Sequence, residues 1–201
     1  MITVDVKSKR FGESEILRDI HFVVAAGETV ALQGPSGIGK TTLLRLIAGI
    51  DRAFDGRIDR PDGLAMVFQE PTLLPWRSAL QNITLVHPGL GEERARAALA
   101  RVGIGGKADL FPGQLSLGQQ RRLALARAFA ARPQALILDE PFVSLDPDLA
   151  SEMIELARAL IEEVRPATLF VTHSREEAAS LSDRVLRLAG QPATLETIAP
   201  G

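Results

Sequence analysis

The chain has 201 residues, 46% of them hydrophobic, a formal net charge of −2 and no cysteine. That length suits one domain with a small insert, and the charge offers no basic footprint for nucleic acid. Disulfides and cysteine-ligated metal are excluded. No apolar run approaches the ~20 residues needed to cross a bilayer, so any membrane role is expected to come through a partner chain.

In chain order, the start Met1-Ile2-Thr3-Val4-Asp5-Val6 alternates as a strand does and lacks the apolar core of a signal peptide. Strands are predicted at 2–6, 20–24 and 28–33, and then a helix at 41–48. A strand at 64–68 follows. Between residues 71 and 131 the pattern is almost all helix and turn, with helices at 92–101 and 117–130. Strands at 135–138, 168–172 and 184–188 then alternate with helices at 149–164 and 175–180. Residues 191–201 read as turn-rich. Alternating strand and helix with a helical insertion implies an α/β core carrying a second, helical part.

The chemistry concentrates between the 28–33 strand and the 41–48 helix. Gly34-Pro35-Ser36-Gly37-Ile38-Gly39-Lys40-Thr41 fits G-x-x-x-x-G-K-[ST]. Glycines let successive N–H groups turn inward on phosphate oxygens, Lys40 reaches the outer phosphates, and the Thr41 hydroxyl can ligate Mg²⁺. The helix that starts at Thr41 and Thr42 presents its positive end to the anion. A second element is Ala135-Leu136-Ile137-Leu138-Asp139-Glu140, an apolar strand ending in two acids. Open parallel sheets place ligands at such ends. Asp139 is expected to hold Mg²⁺ and Glu140 to sit near an attacking water. Together the two elements indicate hydrolysis of ATP or GTP.

Leu115-Ser116-Leu117-Gly118-Gln119-Gln120 precedes an apolar helix. Here the chain resembles the ATP-binding-cassette (ABC) family, whose signature reads Leu-Ser-Gly-Gly-Gln. Leu117 replaces its first glycine. Ser116 and Gln119 also spell a capping box. The other family elements fall in order. Gln69 matches the glutamine that contacts Mg²⁺ and the attacking water, and His173 the histidine that contacts the γ-phosphate. Ser144-Leu145-Asp146 matches the family's aspartate loop, where Asp146 would also cap the helix opening at Pro147. Ser174 and Glu177 spell a second capping box. Phe11 occupies the place of an aromatic that stacks on adenine.

The resemblance covers nearly the whole chain. It implies a RecA-like P-loop NTPase core, about 1–70 and 132–201, with an antiparallel β-subdomain and an inserted helical subdomain at about 71–131. It implies ATP and Mg²⁺ as ligands. It also implies a head-to-tail dimer, homo- or heteromeric, in which Ser116, Gly118 and Gln119 of one copy meet the ATP of the other. The soluble repair ATPases need a coiled coil for which 48–115 has no room, and the translation factors usually carry two cassettes. A non-transport assembly ATPase, as in iron–sulfur cluster biogenesis, stays open. Phe68-Gln69-Glu70-Pro71-Thr72-Leu73-Leu74-Pro75-Trp76 resembles importer subunits for nitrate, sulfonate and taurine, with Leu73, Leu74 and Trp76 as a docking patch for a permease. That reading implies separate transmembrane permease chains, a periplasmic solute-binding protein, and a cytoplasmic place on the inner face of the membrane.

Overall fold

The computed structural model describes residues 1–197. They form two compact units. The first comprises Met1–Met66, Gln134–Glu140 and the chain from Arg165 onward; the second comprises Val67–Pro133 and Pro141–Val164. The long helix of 147–164 thus groups with the helical unit, whereas the sequence division places it with the core. It groups there because its partner in packing is the helix of 117–129.

The first unit holds two sheets. An antiparallel one has the order β2-β1-β4, from β1 (Ile2–Phe11), β2 (Ser14–Val24) and β4 (Asp55–Asp59). Ile2, Val4 and Val6 are buried, while the residues between them are partly exposed, the alternation of a sheet covered on one face. The other sheet has the order β5-β6-β7-β3-β8-β9. It comprises β5 (Leu64–Val67), β6 (Ala135–Asp139), β7 (Ala167–Val171), β3 (Thr29–Gln33), β8 (Arg184–Ala189) and β9 (Thr194–Thr197). β6, β7, β3 and β8 run parallel, and β9 closes the edge antiparallel to β8. Every residue of β6 and β7 is buried, so both read as continuous apolar runs, as parallel strands covered on two faces do. Helix α1 (Lys40–Ile47) puts Leu43, Leu44, Leu46 and Ile47 into this core.

Four strands go beyond the sequence reading. β1 and β2 extend to Phe11 and back to Ser14, beyond the predicted 2–6 and 20–24. β4, Asp-Gly-Arg-Ile-Asp, is a charged edge strand with little apolar signal, a composition that protects a sheet edge. β9 lies in the stretch read as turns, of which 198–201 fall outside the described residues.

The second unit is helical: α2 (Ala79–Thr84), α3 (Glu92–Arg101), α4 (Leu117–Phe129) and α5 (Pro147–Val164). The short helix α6 (Arg175–Leu181) belongs to the first unit. α2 is absent from the sequence reading, although Ser78-Ala79-Leu80-Gln81 spells a capping box and both of its hydrogen bonds form.

Candidate functional site

Three neighbouring strands of the larger sheet deliver the chemistry. β7 lies between β6 and β3, and all three point the same way. Their C-terminal ends therefore bring together Asp139 and Glu140, then His173, then the glycine loop. This is where parallel α/β sheets hold ligands. A cavity of about 300 Å³ opens there, lined by Phe11, Ile16, Ser36, Lys40, Thr41, Glu140 and His173. Gly37, Gly39 and Thr42 complete its wall.

The loop depends on its glycines where the chain crowds itself. At Gly39 φ is 115°, and a Cβ would stand 2.8 Å from Leu17 Cδ2. Gly39 caps α1 without a side-chain hydrogen bond, so the N–H groups of the first turn keep no capping partner there. Such a helix start is built for an anion. Pro35 and Gly34 turn their carbonyls to Lys40, whose Nζ donates to both at 3.0 and 2.9 Å. Ile38 packs on the core.

The charges here are costly to bury. Lys40 is 6% exposed, and burial lowers its pKa against the pull of Glu140 and Asp139. Asp139 is 8% exposed; burial raises its pKa, Glu140 adds to this, and Lys40 and Arg45 oppose it. Glu140 takes a left-handed backbone, φ 48°, while its N–H donates to Val171 O at 3.0 Å. That conformation costs on the order of 1 kcal/mol in a non-glycine residue. It aims the carboxylate at His173, whose Nε2 stands 2.6 Å from Glu140 Oε1. Ser174 caps α6 by accepting the Glu177 N–H at 3.2 Å. The predicted second half of that box is not made; the Glu177 carboxylate accepts the Thr172 hydroxyl instead.

Sequence reasoning missed Ile16. The β1–β2 register shifts between Lys9 and Arg10, and the extra residue on β2 is Ile16, which lines the cavity. Bulges re-aim side chains in this way, and no propensity pattern announces them.

The remaining expected residues lie in the second unit. Ser116 caps α4: its Oγ accepts the Gln119 N–H at 3.3 Å, and Gln119 Oε1 accepts the Ser116 N–H at 3.0 Å. Leu117 follows as the first helical residue, 49% exposed, so the departure from the signature brings no backbone strain. Gly118 is buried, and a Cβ there would meet Leu149 Cδ1 at 3.0 Å. α4 thus packs closely on α5 here, against the movable tip of Leu149. Asp146 caps α5 by accepting the Leu149 N–H at 3.0 Å. Gln69 sits on a pinned loop. Arg121 donates to its carbonyl, and Arg127 donates to Pro71 O and Thr72 O, both at 3.0 Å. Fully buried Asn82 holds Leu74 from both sides of its amide. Trp76 is 67% exposed, while Leu73 and Leu74 are half-buried.

The fold and site define the class. A family profile described as "ABC transporter" matches residues 17–143. The chain belongs to the ABC transporter family and is an ATP-hydrolysing subunit of that family. Within it, the chain is 45% identical over 184 residues to "Aliphatic sulfonates import ATP-binding protein SsuB 2" of Rhizobium johnstonii, covering 90% of this chain and 74% of that one. It is also 45% identical over 183 residues to SsuB 1 of Pseudomonas fluorescens, covering 90% and 71%. A solved structure, a dimeric post-hydrolysis state of the ATP-binding cassette MJ0796 bound to ADP and Pi, superposes with a TM-score of 0.81 at 27% identity and full coverage of both chains. Among the described residues no helix is long and apolar enough to cross a membrane.

Proposed function

We propose that the chain binds Mg-ATP at the cavity between Phe11 and His173, hydrolyses it in a dimer, and powers import of a small anionic organic solute of the sulfonate type. The carrying observation is the meeting of Lys40, Glu140 and His173 in one cavity at the ends of three parallel strands.

Mg²⁺ fits the donor set. Thr41 and Asp139 offer hard oxygen ligands, and Mg²⁺ characteristically takes one or two carboxylates plus phosphate oxygens and water. When bound, it supplies neutralising charge on the phosphates. The chain's own groups do the rest by position and charge. Lys40 leaves the Gly34 and Pro35 carbonyls for the outer phosphates, and the first-turn N–H groups of α1 hold the phosphate oxygens. Glu140 accepts a hydrogen bond from the attacking water and orients it at the γ-phosphorus. His173, now tied to Glu140, braces the γ-phosphate. Phe11 stacks on the adenine, with Ile16 beside it.

The second unit supplies the complementary half. Ser116, Gly118 and Gln119, at the start of α4, meet the γ-phosphate held by a partner copy, and Asp146 lies at the same junction. ATP then closes the dimer and hydrolysis opens it. Leu73, Leu74 and Trp76, on the loop stiffened by Asn82 and Arg127, dock separate permease chains at the inner face of the membrane. A periplasmic binding protein supplies the solute.

Uptake of a labelled alkanesulfonate tests the transport reading in cells lacking this gene. Complementation by the parent chain and none by Lys40→Ala is the expected result. Unimpaired uptake without the gene contradicts it.

A further inference from the structure

Lys9 is fully buried at 2% exposure, yet it belongs to no catalytic or core motif. Its ammonium donates to Asp51 Oδ2 at 2.6 Å and to Ala53 O at 2.7 Å. It also stands 4.5 Å from the centroid of the Phe11 ring, over its face. The backbone explains the meeting. Pairing of β1 with β4 shifts register between Val6 and Ser8, so the buried positions change from 2, 4, 6 to 9. Lys9 and Phe11, two apart, then share a face of the strand. Phe11 remains 55% exposed and lines the cavity. With Lys9 on one face of the ring, the other face is left for a ligand.

Asp51 is fixed to the phosphate-binding helix. The N–H groups of Ile50 and Asp51 both donate to Arg45 O in α1, at 3.0 and 3.2 Å, and Asp51 Oδ1 accepts the Ala53 N–H at 2.9 Å. The ion pair with Lys9 holds the Asp51 carboxyl below its ordinary range. A continuous path therefore runs from the Phe11 ring through Lys9 and Asp51 to the helix that begins with Lys40.

We infer that Lys9 is a positioning residue for nucleotide binding: it holds the Phe11 ring against the adenine and ties that platform to the phosphate-binding helix. The inference rests on the reading of Phe11 as the adenine platform. An ammonium clamped at one face of an aromatic ring fixes it where an unsupported ring at the end of a strand would swing.

The test compares ATP with inorganic tripolyphosphate, which has the phosphates and no base, each with Mg²⁺, on the full chain. Lys9→Met should raise the KM for ATP about threefold to tenfold with kcat little changed, and leave tripolyphosphate binding within about twofold. Lys9→Arg should restore most of the loss. In a Phe11→Leu background, Lys9→Met should add almost nothing. Asp51→Asn, which loosens the anchor without removing the cation, should reproduce a smaller KM rise and carries the test if Lys9→Met does not fold. Equal weakening of ATP and tripolyphosphate would make Lys9 a general structural support and overturn the inference. So would an unchanged KM in Lys9→Met when Phe11→Leu raises it. If Phe11→Leu itself leaves ATP binding untouched, the adenine platform fails and the inference falls with it.

Discussion

The start of α1 and the start of α4 are both proposed to meet phosphate, yet they are built in opposite ways. At α1 no side chain caps the helix, Lys40 and Asp139 are buried, and each is pushed towards its neutral form. At α4, Ser116 and Gln119 cap each other reciprocally, and Leu117 lies open to solvent. One end carries buried charge and uncapped N–H groups that an anion would satisfy. The other is stable alone and needs little from a ligand until one is presented to it. If the proposed site is right, the difference assigns affinity for ATP to the first unit and closure to the second.

The sharpest way to break that contrast is to empty the first site. Lys40→Ala should weaken ATP binding about 100-fold or more, the usual cost of removing one side of a buried charge-assisted contact. Calorimetric titration checks this, and unchanged affinity would remove the assignment of the phosphate site. Gly118→Ala probes the other end. The Leu149 tip is half-buried and can turn aside, and the gain in helix propensity offsets the crowding. Thermal stability should change by less than about 1 kcal/mol. ATP hydrolysis should nevertheless fall about tenfold with ATP binding intact. A large stability loss with normal turnover would give Gly118 a packing role alone.

Asp139 sharpens the contrast through pH. Its folded pKa lies above the unfolded value, so its contribution to stability is greatest below the unfolded pKa and is lost as pH rises through the folded one. Asp139→Asn should therefore match the parent in acid and exceed its melting temperature as pH rises from about 4 towards 7. A variant less stable than the parent at neutral pH contradicts a destabilised site. The smallest effect is expected at the capped end. Leu117→Gly, at an exposed first helical position, should cost about 0.5 kcal/mol and leave hydrolysis within about threefold. A large rise in turnover would mean that leucine obstructs closure.

Much of this was legible in the sequence, because the motifs are local. The glycine loop, the acids at the end of β6, and the caps Ser116 and Asp146 each sit within a few residues of what they bond. The buried strands β6 and β7 announced themselves by continuous apolar runs. What escaped depends on register and on distant partners. Two bulges decide that Ile16 lines the cavity and that Lys9 turns inward beside Phe11, and a one-residue shift leaves no trace in a hydrophobicity pattern. The charged edge strand β4 carries almost no apolar signal. Arg121 and Arg127 gripping the Gln69 loop involve pairs more than fifty residues apart. The failed half of the Ser174 box is different: its competitor is local, since the Thr172 hydroxyl takes the Glu177 carboxylate in place of the backbone.

The account's central claim is that each end is half of one catalytic site. Glu140→Gln keeps every phosphate contact and removes the group that orients the water, so turnover should fall about 10²- to 10⁴-fold while ATP stays bound. Light scattering on this variant measures the claim directly. With saturating ATP and Mg²⁺ the account predicts a dimer that reverts to monomer on exchange into ADP. A monomer under saturating ATP and Mg²⁺ would contradict it.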